Sequence, residues 1–436
     1  MTEREGVPDN FRTTPIGPLP EDWEVVPLRE AATFSRKPRK LNLTTYDAVP
    51  FIPMEYVPES GTLVEQYELR PGPSIRSGTY CEQGDILLAK ITPSFENGKQ
   101  GIVGRLPLDF AYATTEVHPI RSKPDRLDQM FLFHFLQQPR LRLDIAAKME
   151  GSTGRQRVPK AVIENCPIAL PPLPEQRAIA RVLRTVQEAI AATAGVIAAA
   201  RELKRSLLHY LFTYGPVPVD QADQVELQET EIGSLPAGWE VVRLGEVLQD
   251  TQYGLSIRAG QDGKYPMLRM NNQVDGRIDT SDLKYVDLDE DEFQKFRVHK
   301  EDVLFNRTNS HDLVGRTAIF DIDGDFVFAS YLIRVVPDPT ILQPKYLNYY
   351  LTWAVTQHRL RMVATRGVSQ SNVSASKLKH FGIALPSVAE QEIAMGILVS
   401  IDHKIEAEEG HRAALEALFR TLLHQLMTGK VRVGDQ

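Results

Sequence analysis

The sequence predicts an α+β fold. Two mixed α/β domains are separated by two long helices that pair as an antiparallel intramolecular coiled coil, giving a pseudo-two-fold tandem repeat. Three observations carry this reading. The chain repeats itself at a spacing of about 215 residues. Each repeat opens with short β-type runs broken by Gly, Pro, Asn and Asp. Each closes with an apolar-periodic stretch of about 40 residues.

The repeat is read from four islands. Ile16–Ala31 and Ile232–Val247 share ten of sixteen residues at an offset of 216, including Leu19-Pro20-x-x-Trp23-Glu-Val-Val and Leu235-Pro236-x-x-Trp239-Glu-Val-Val. Asp85-Ile-Leu-Leu-Ala-Lys90 matches Asp302-Val-Leu-Phe-Asn-Arg307 at offset 217. Ile168-Ala-Leu-Pro171 with Glu175-Gln176 matches Ile383-Ala-Leu-Pro386 with Glu390-Gln391, and Arg205–Thr213 matches Arg420–Thr428, both at 215. The stretches between islands differ, as expected of one scaffold carrying two recognition surfaces.

These signals divide the chain into an N-terminal tail (1–15), a first mixed domain (16–170), a first helix (171–215), a linker (216–231), a second mixed domain (232–385), a second helix (386–430) and a C-terminal tail (431–436). Strands are expected at Trp23–Leu28, Asp85–Ile91, Gly101–Leu106, Val303–Phe305, Thr317–Phe320 and Phe326–Phe328, and shorter helices at Arg126–Gln138 and Pro344–Thr356. The first long helix starts behind Pro171-Pro-Leu-Pro174 and stops at Gly215-Pro216. Its predicted seam runs through Ile179, Val182/Leu183, Val186, Ile190, Ile197, Leu203/Lys204, Leu207/Leu208 and Leu211. The second runs through Ile393, Ile397/Leu398, Ile401, Ile405, Leu415, Leu418, Leu422/Leu423 and Leu426, and ends at Gly429. A stripe this long cannot stay exposed. The repeat makes antiparallel pairing of the two helices natural; the alternative is that each packs on its own domain.

Composition bounds the function. The chain of 436 residues is 42% hydrophobic and 25% charged, which excludes wholesale disorder. Its formal charge is −7, so DNA binding would have to use basic loops on an acidic body. Two scattered cysteines, Cys81 and Cys166, suit a reducing compartment. Met1–Thr14 has no apolar core, no unbroken apolar run reaches the length of a membrane span, and a cytoplasmic, membrane-free protein is expected. No Asn/Asp-Pro-Pro-Tyr/Phe pocket, Gly-x-Gly cofactor loop or ATP-binding Gly-rich loop occurs, and no His/Cys cluster has zinc spacing. His209 and His424 occupy equivalent helix positions and are read as packing or surface residues. The acidic run Asp287–Glu292 is read as solvated.

Leu170-Pro-Pro-Leu-Pro-Glu175-Gln176, the Leu-Pro-x-x-Trp-Glu-Val-Val openings and the Leu-Leu-His-x-Leu-x-Thr helix ends together resemble the specificity subunits of type I restriction–modification systems. The resemblance covers Ile16 to about Arg432 in that family's order of target-recognition domain, helix, target-recognition domain, helix. It implies a non-catalytic DNA specificity subunit. Each target-recognition domain reads one half of a bipartite double-stranded sequence. The helices set the gap and dock two methyltransferase subunits; restriction subunits can join. S-adenosylmethionine, ATP and Mg are then expected on those partners, with no cofactor and no metal on this chain. Spacer and docking residues are expected at Glu175, Gln176, Ile179, Val186, Leu207 and Leu211, and at Glu390, Gln391, Ile397, Ile401, Leu422 and Leu426. The second copy departs from the motif at Pro386-Ser-Val-Ala, which predicts a less rigid helix start and weaker docking there. Competing readings are a stand-alone restriction endonuclease or modification enzyme, and a coiled-coil scaffold that never reads DNA.

Base reading needs Arg, Asn, Gln, Ser or Thr; phosphate anchoring needs Lys, Arg and backbone amides. Loops rich in these follow β-type runs at equivalent places. The first pair is Lys90, Thr92, Ser94, Asn97 and Lys99 with Asn306, Arg307, Thr308, Asn309, Ser310 and Arg316. The second is Arg155, Gln156, Arg157 and Lys160 with Arg366, Ser369, Gln370, Asn372 and Lys377. A third patch, Arg36, Lys37, Arg39 and Lys40, has a much less basic counterpart around Tyr253–Arg258, so the two halves are expected to bind DNA differently.

Overall fold

The computed structural model describes residues 10–59, 62–367 and 370–434. The chain divides into two compact units. One is Met1–Gly195 with Glu409–Gln436; the other is Val196–Glu408. The long helices, Leu173–Tyr214 and Val388–Met427, each contribute one half to each unit.

Among the described residues, the first unit carries a five-stranded sheet in the order Ala32–Phe34, Val117–Ser122, Ile86–Ala89, Gln100–Val103, Leu63–Val64. A four-stranded sheet of Glu68–Arg70, Val49–Ile52, Phe110–Ala113 and Thr79–Glu82 lies with it. The second unit has a four-stranded sheet of Leu248–Tyr253, Leu332–Pro337, Val303–Asn306 and Thr317–Ile319. A three-stranded sheet of Lys284–Val286, Tyr265–Leu268 and Val327–Phe328 lies with it. The expected strands therefore form, most of them shortened, while the one expected at Val303–Phe305 extends to Asn306 and the one expected from Gly101 begins at Gln100. The helix expected over Pro344–Thr356 forms as two, Pro344–Thr352 and Ala354–Val363, because Trp353 takes an extended conformation (φ −59°, ψ 135°).

In each unit the Trp-Glu-Val-Val strand pairs with the strand that leads into a long helix. Glu24–Pro27 pairs antiparallel with Pro167–Leu170, and Glu240–Arg243 with Gly382–Leu385. The Glu-Gln pair then fixes the helix start. Trp23 Nε1 donates to Glu175 (3.2 Å) and Trp239 Nε1 to Glu390 (3.0 Å). Gln176 accepts from the Asp128 amide and donates to the Pro171 carbonyl; Gln391 does the same with Gln343 and Pro386. The predicted loose start of the second helix is not seen. Ser387 Oγ accepts from the Glu390 amide while the Glu390 carboxylate accepts from the Ser387 amide and hydroxyl, a capping box that replaces the missing prolines.

The repeat also reaches further upstream than its sequence islands. Phe11–Thr14 pairs with Gly17–Pro20, and Leu227–Thr230 with Gly233–Pro236. The segments read as tail and linker thus supply equivalent hairpins. Each turns on a glycine at φ +113°, with Thr14 or Thr230 donating to its carbonyl at 2.6 Å. Left-handed φ also stops both long helices. A Cβ on Gly215 would meet the Trp239 ring, and one on Gly429 the Pro20 and Trp23 rings, so each helix end seats against a tryptophan.

The helices run antiparallel within each unit. Ile179 and Leu183 share a core with Leu423, Leu426, Met427 and the domain residues Phe131 and Ile168. Leu208, Leu211 and Phe212 share another with Ala394, Leu398, Trp239 and Tyr346. Each helix end thus meets both a helix and a domain. The inward face is broader than a two-helix seam, and Leu203, Ile393, Ile397 and Leu418, predicted inside, are 38–53% exposed. The first helix does hold an 18-residue window of mean hydropathy 1.3, apolar enough by length and composition to cross a membrane. The alanine-rich run 189–200 lies in this helix, whose two ends are built into the unit cores. Cys81 and Cys166 are free and buried, and burial pushes the Cys166 thiol up to about 11.

One helix-packing position differs in chemistry between the units. In the second, Lys204 and Asp402 form an ion pair at 2.7 Å, and Tyr349 donates to the same carboxylate at 2.8 Å. At the island offset of 215 the first unit has Phe419, Gln187 and His134 instead, with His134 edge-on to Phe419. Asp402→Ala is expected to lower stability by about 1–3 kcal/mol, since it strands a mostly buried ammonium and hydroxyl, whereas Gln187→Ala is expected to cost under about 1 kcal/mol. Denaturant melts of the two variants check this. Burial also pushes the His134 imidazole down to about 4 from 6.5. The unfolded chain therefore takes up the proton first. This contribution is complete above about pH 6.5 and is lost as pH falls toward 4, up to about 3 kcal/mol. His134→Tyr, the residue of the other unit, should flatten that part of the acid loss in thermal melts across the same pH range.

Candidate nucleic-acid interface

The first unit brings its three candidate regions together. The loop 90–100 joins strands Ile86–Ala89 and Gln100–Val103, turning on Gly98 at φ +88° and anchored by the buried Phe95. The segment 150–158 runs beside it: Thr92 N donates to Gln156 O (3.0 Å) and Val158 N to Lys90 O (2.8 Å). The basic loop after Phe34 joins them at one side. Ser35 N donates to Pro119 O, Phe34 packs edge-on to His118, and the Lys160 ammonium lies 4.5 Å over the Phe34 ring. Burial pushes the His118 pKa down, and its neutral Nε2–H donates to Val158 O at 2.9 Å.

The second unit repeats the construction. Thr308–Asn309, Ser371–Asn372 and Thr365–Arg366 make a small antiparallel sheet. Val373 N donates to Arg307 O (2.9 Å), the counterpart of the Val158–Lys90 bond, and Gly315 turns at the same φ of +88° as Gly98. The strand ending at Tyr253 closes the side: its hydroxyl accepts from Ala375 N, and the Arg307 guanidinium sits 4.7 Å over its ring. Residue types differ while the hydrogen-bond frame is kept, so two unlike surfaces stand on one support.

The predicted residues separate into three groups. Arg36, Lys37, Arg39, Lys40, Asn97, Arg155, Ser310, Arg366 and Gln370 are exposed. The first four and Arg155 have no acidic partner among the described residues, so their charge is available to an anion. Others are exposed or half-buried but already engaged. Arg157 grips Glu116 at 2.8 and 2.9 Å, a hydrogen-bonded pair that holds the Glu116 carboxyl below the usual range. Lys99 donates to Met54 O, Lys160 pairs with Glu164, Asn372 donates to Thr308, and Lys377 donates to Val363 O and Thr365. Lys90, Thr92, Ser94, Gln156, Arg307, Thr308 and Asn309 are half-buried within the two loop pairs.

One candidate is corrected. Asn306 is completely buried in its strand, with both amide atoms unpartnered, and cannot touch a ligand at the surface. Arg316 is exposed and lines a pocket with Arg277 and Arg361. Ser369 lies outside the described residues. Sequence reading missed Phe34, His118 and Glu116. An aromatic at the end of the first strand of each large sheet, Phe34 or Tyr253, was the available signal, since aromatic rings interleaved with cations suit nucleic-acid surfaces.

The residues expected to dock partners are mostly turned inward. Glu175, Gln176, Ile179, Leu211, Gln391 and Leu426 are buried, and Val186, Leu207, Glu390, Ile401 and Leu422 are half-buried; Ile397 is exposed. The Glu-Gln motif binds its own domain. Glu175 additionally accepts from Arg432 at 2.6 and 2.9 Å, and the same guanidinium pairs with Asp22. Among the described residues no group of three or more His, Cys, Asp or Glu gathers as metal ligands.

Comparison with known proteins agrees with this architecture. The family described as type I restriction modification DNA specificity domain matches twice, at residues 20–201 and 236–417. A putative type I restriction enzyme MjaX specificity subunit of Methanocaldococcus jannaschii is 30% identical over 46% of this chain and 48% of its own length. The type I restriction enzyme MjaVIII specificity subunit of the same organism is 25% identical over 98% of this chain and 97% of its own length. In fold, the chain is similar to the type I restriction–modification S subunit from M. genitalium, with a TM-score of 0.56 over 98% of this chain and 99% of that one, at 14% identity. With both repeats matched across most of its length, the chain belongs to the type I restriction–modification DNA specificity family.

Proposed function

We propose that this chain is the DNA specificity subunit of a type I restriction–modification complex, each β-rich unit reading one half of a bipartite duplex sequence. The observation that carries this is the duplicated loop frame. Equivalent backbone bonds, Val158–Lys90 and Val373–Arg307, hold two loop pairs of different side-chain chemistry. Arg366 and Gln370 offer the donors and acceptors that base edges require, and Arg36, Lys37, Arg39 and Lys40 offer charge to phosphates. Methyltransferase subunits, two per chain, supply S-adenosylmethionine chemistry in this reading. Restriction subunits supply ATP- and Mg-dependent cleavage. Docking of those partners falls to outward helix residues such as Leu203, Ile393, Ile397 and Leu418 rather than to the buried Glu-Gln motif.

The deciding experiment maps methylated adenine across the genome of a methylation-free host expressing the native methyltransferase with and without this chain. A bipartite motif is expected only when the chain is present, and exchanging residues 232–385 for those of another family member is expected to change one half of it. A motif altered in both halves would refute the two-reader model. A second outcome concerns charge. Replacing Arg36, Lys37, Arg39 and Lys40 with Ala should weaken target and unrelated duplexes alike and reduce the salt slope by roughly 0.9 for each phosphate no longer neutralised. Binding isotherms at several salt concentrations read it out.

A further inference from the structure

On a chain of formal charge −7, six basic side chains line one pocket of about 520 Å³ in the second unit. They are Arg201, Lys204 and Arg205 on the first long helix, Arg277 in a short hairpin, Arg316, and Arg361 on the Ala354–Val363 helix. Three acids, Asp275, Asp312 and Asp402, share the lining, and Arg205 pairs with Glu202 beside it. Asp402 is already held by Lys204 and Tyr349. Among the described residues, the side chains of Arg316 and Arg361 have neither an acidic nor a hydrogen-bonding partner.

The inner wall supplies a second, independent observation. Gln273 and Thr317 line the same pocket and are 3% and 2% exposed. The Gln273 amide is pinned by donating to Leu304 O at 2.7 Å, which leaves its Oε1 unpartnered; Thr317 Oγ1 is unpartnered as well. Buried polar atoms without partners are uncommon, because desolvating them is unfavourable unless a bound group completes them. The scaffold does not require this pocket. At the island offset the first unit places Glu416, Phe419 and Ala146 where the second has Arg201, Lys204 and Arg361.

We propose that this pocket is a phosphate site for a nucleotide. Arg316, Arg361 and the Thr317 hydroxyl hold the oxyanion, while Gln273 Oε1 accepts from a sugar hydroxyl or base amine of the same ligand. Guanidinium groups suit this because they offer paired donors and a fixed charge to phosphate oxygens. The nucleotide is either free or part of a DNA strand. Only the strand case rests on the DNA-reading function proposed above.

Calorimetric titration of the full chain with sodium pyrophosphate, with ATP and with a duplex of unrelated sequence tests the site, using Arg361→Glu and Thr317→Val. Both changes should leave the thermal melt near wild type, since one is on a partner-free side chain and the other removes an unpartnered hydroxyl while keeping its shape. Binding of at least one probe is expected, weakened roughly tenfold or more by Arg361→Glu and several-fold by Thr317→Val. ATP binding that responds to both changes identifies a free nucleotide; a response confined to the duplex identifies the strand. No binding of any probe, or binding indifferent to both substitutions, overturns the proposal. Loss of the methylation motif with pocket binding intact would count against the DNA-reading function and leave the pocket standing.

Discussion

The indole N–H of Trp23, and of Trp239 in the second unit, decides where each long helix begins. A tryptophan buried in a domain core brings one donor that has to be satisfied, and leaving it bare costs about 1–3 kcal/mol. The glutamate three residues into each helix is the partner, so the helix cannot slide along its axis without breaking that bond. The neighbouring glutamine ties the same turn to the start of a shorter helix in the domain. Strand pairing, core packing and the placement of the loops all follow from a helix fixed in register against a sheet.

Because each helix is fixed at its start in one unit and seated at its end in the other, the two units share their framework. The helix ends repeat the same device, a left-handed glycine lying on a tryptophan ring. Between these fixed points the helices differ. Lys204, Asp402 and Tyr349 form a charged lock, while Gln187, Phe419 and His134 form a largely apolar one. A charged carboxylate placed opposite Phe419 would have no partner, so the two locks do not interchange, and the proper pairing of the helices is favoured chemically as well as by shape.

The frame was legible because its bonds need particular residue types. Trp, Glu, Gln and Gly recur at spacings of 214–216 residues, and the structure gives each a bond or a backbone angle that substitutes supply poorly. The helix faces were less legible. An apolar period reports that a helix is buried on one side, but these helices change neighbours along their length, so Ile393 and Leu203 fit the period and still face outward. The hairpins at residues 11–20 and 227–236 were hidden because backbone pairing and a Thr–Gly bond define them, which different side chains can satisfy. Asn306 and Arg307 read alike as polar loop residues. Only the sheet register shows that the first points into the core while the second lies on Tyr253.

The division of the helices also has a consequence for the order in which the chain can fold on the ribosome. The second unit is contiguous, Val196–Glu408, and contains everything its core requires. The first unit needs Glu409–Gln436, including Leu423, Leu426 and the Arg432 that grips Glu175. At ordinary synthesis rates the roughly 240 residues between Gly195 and the end of that segment take about 10–50 s to emerge. Through that interval Trp23, Ile179 and Leu183 wait for the helix that will cover them. The domain made first is therefore completed last, after its successor has closed.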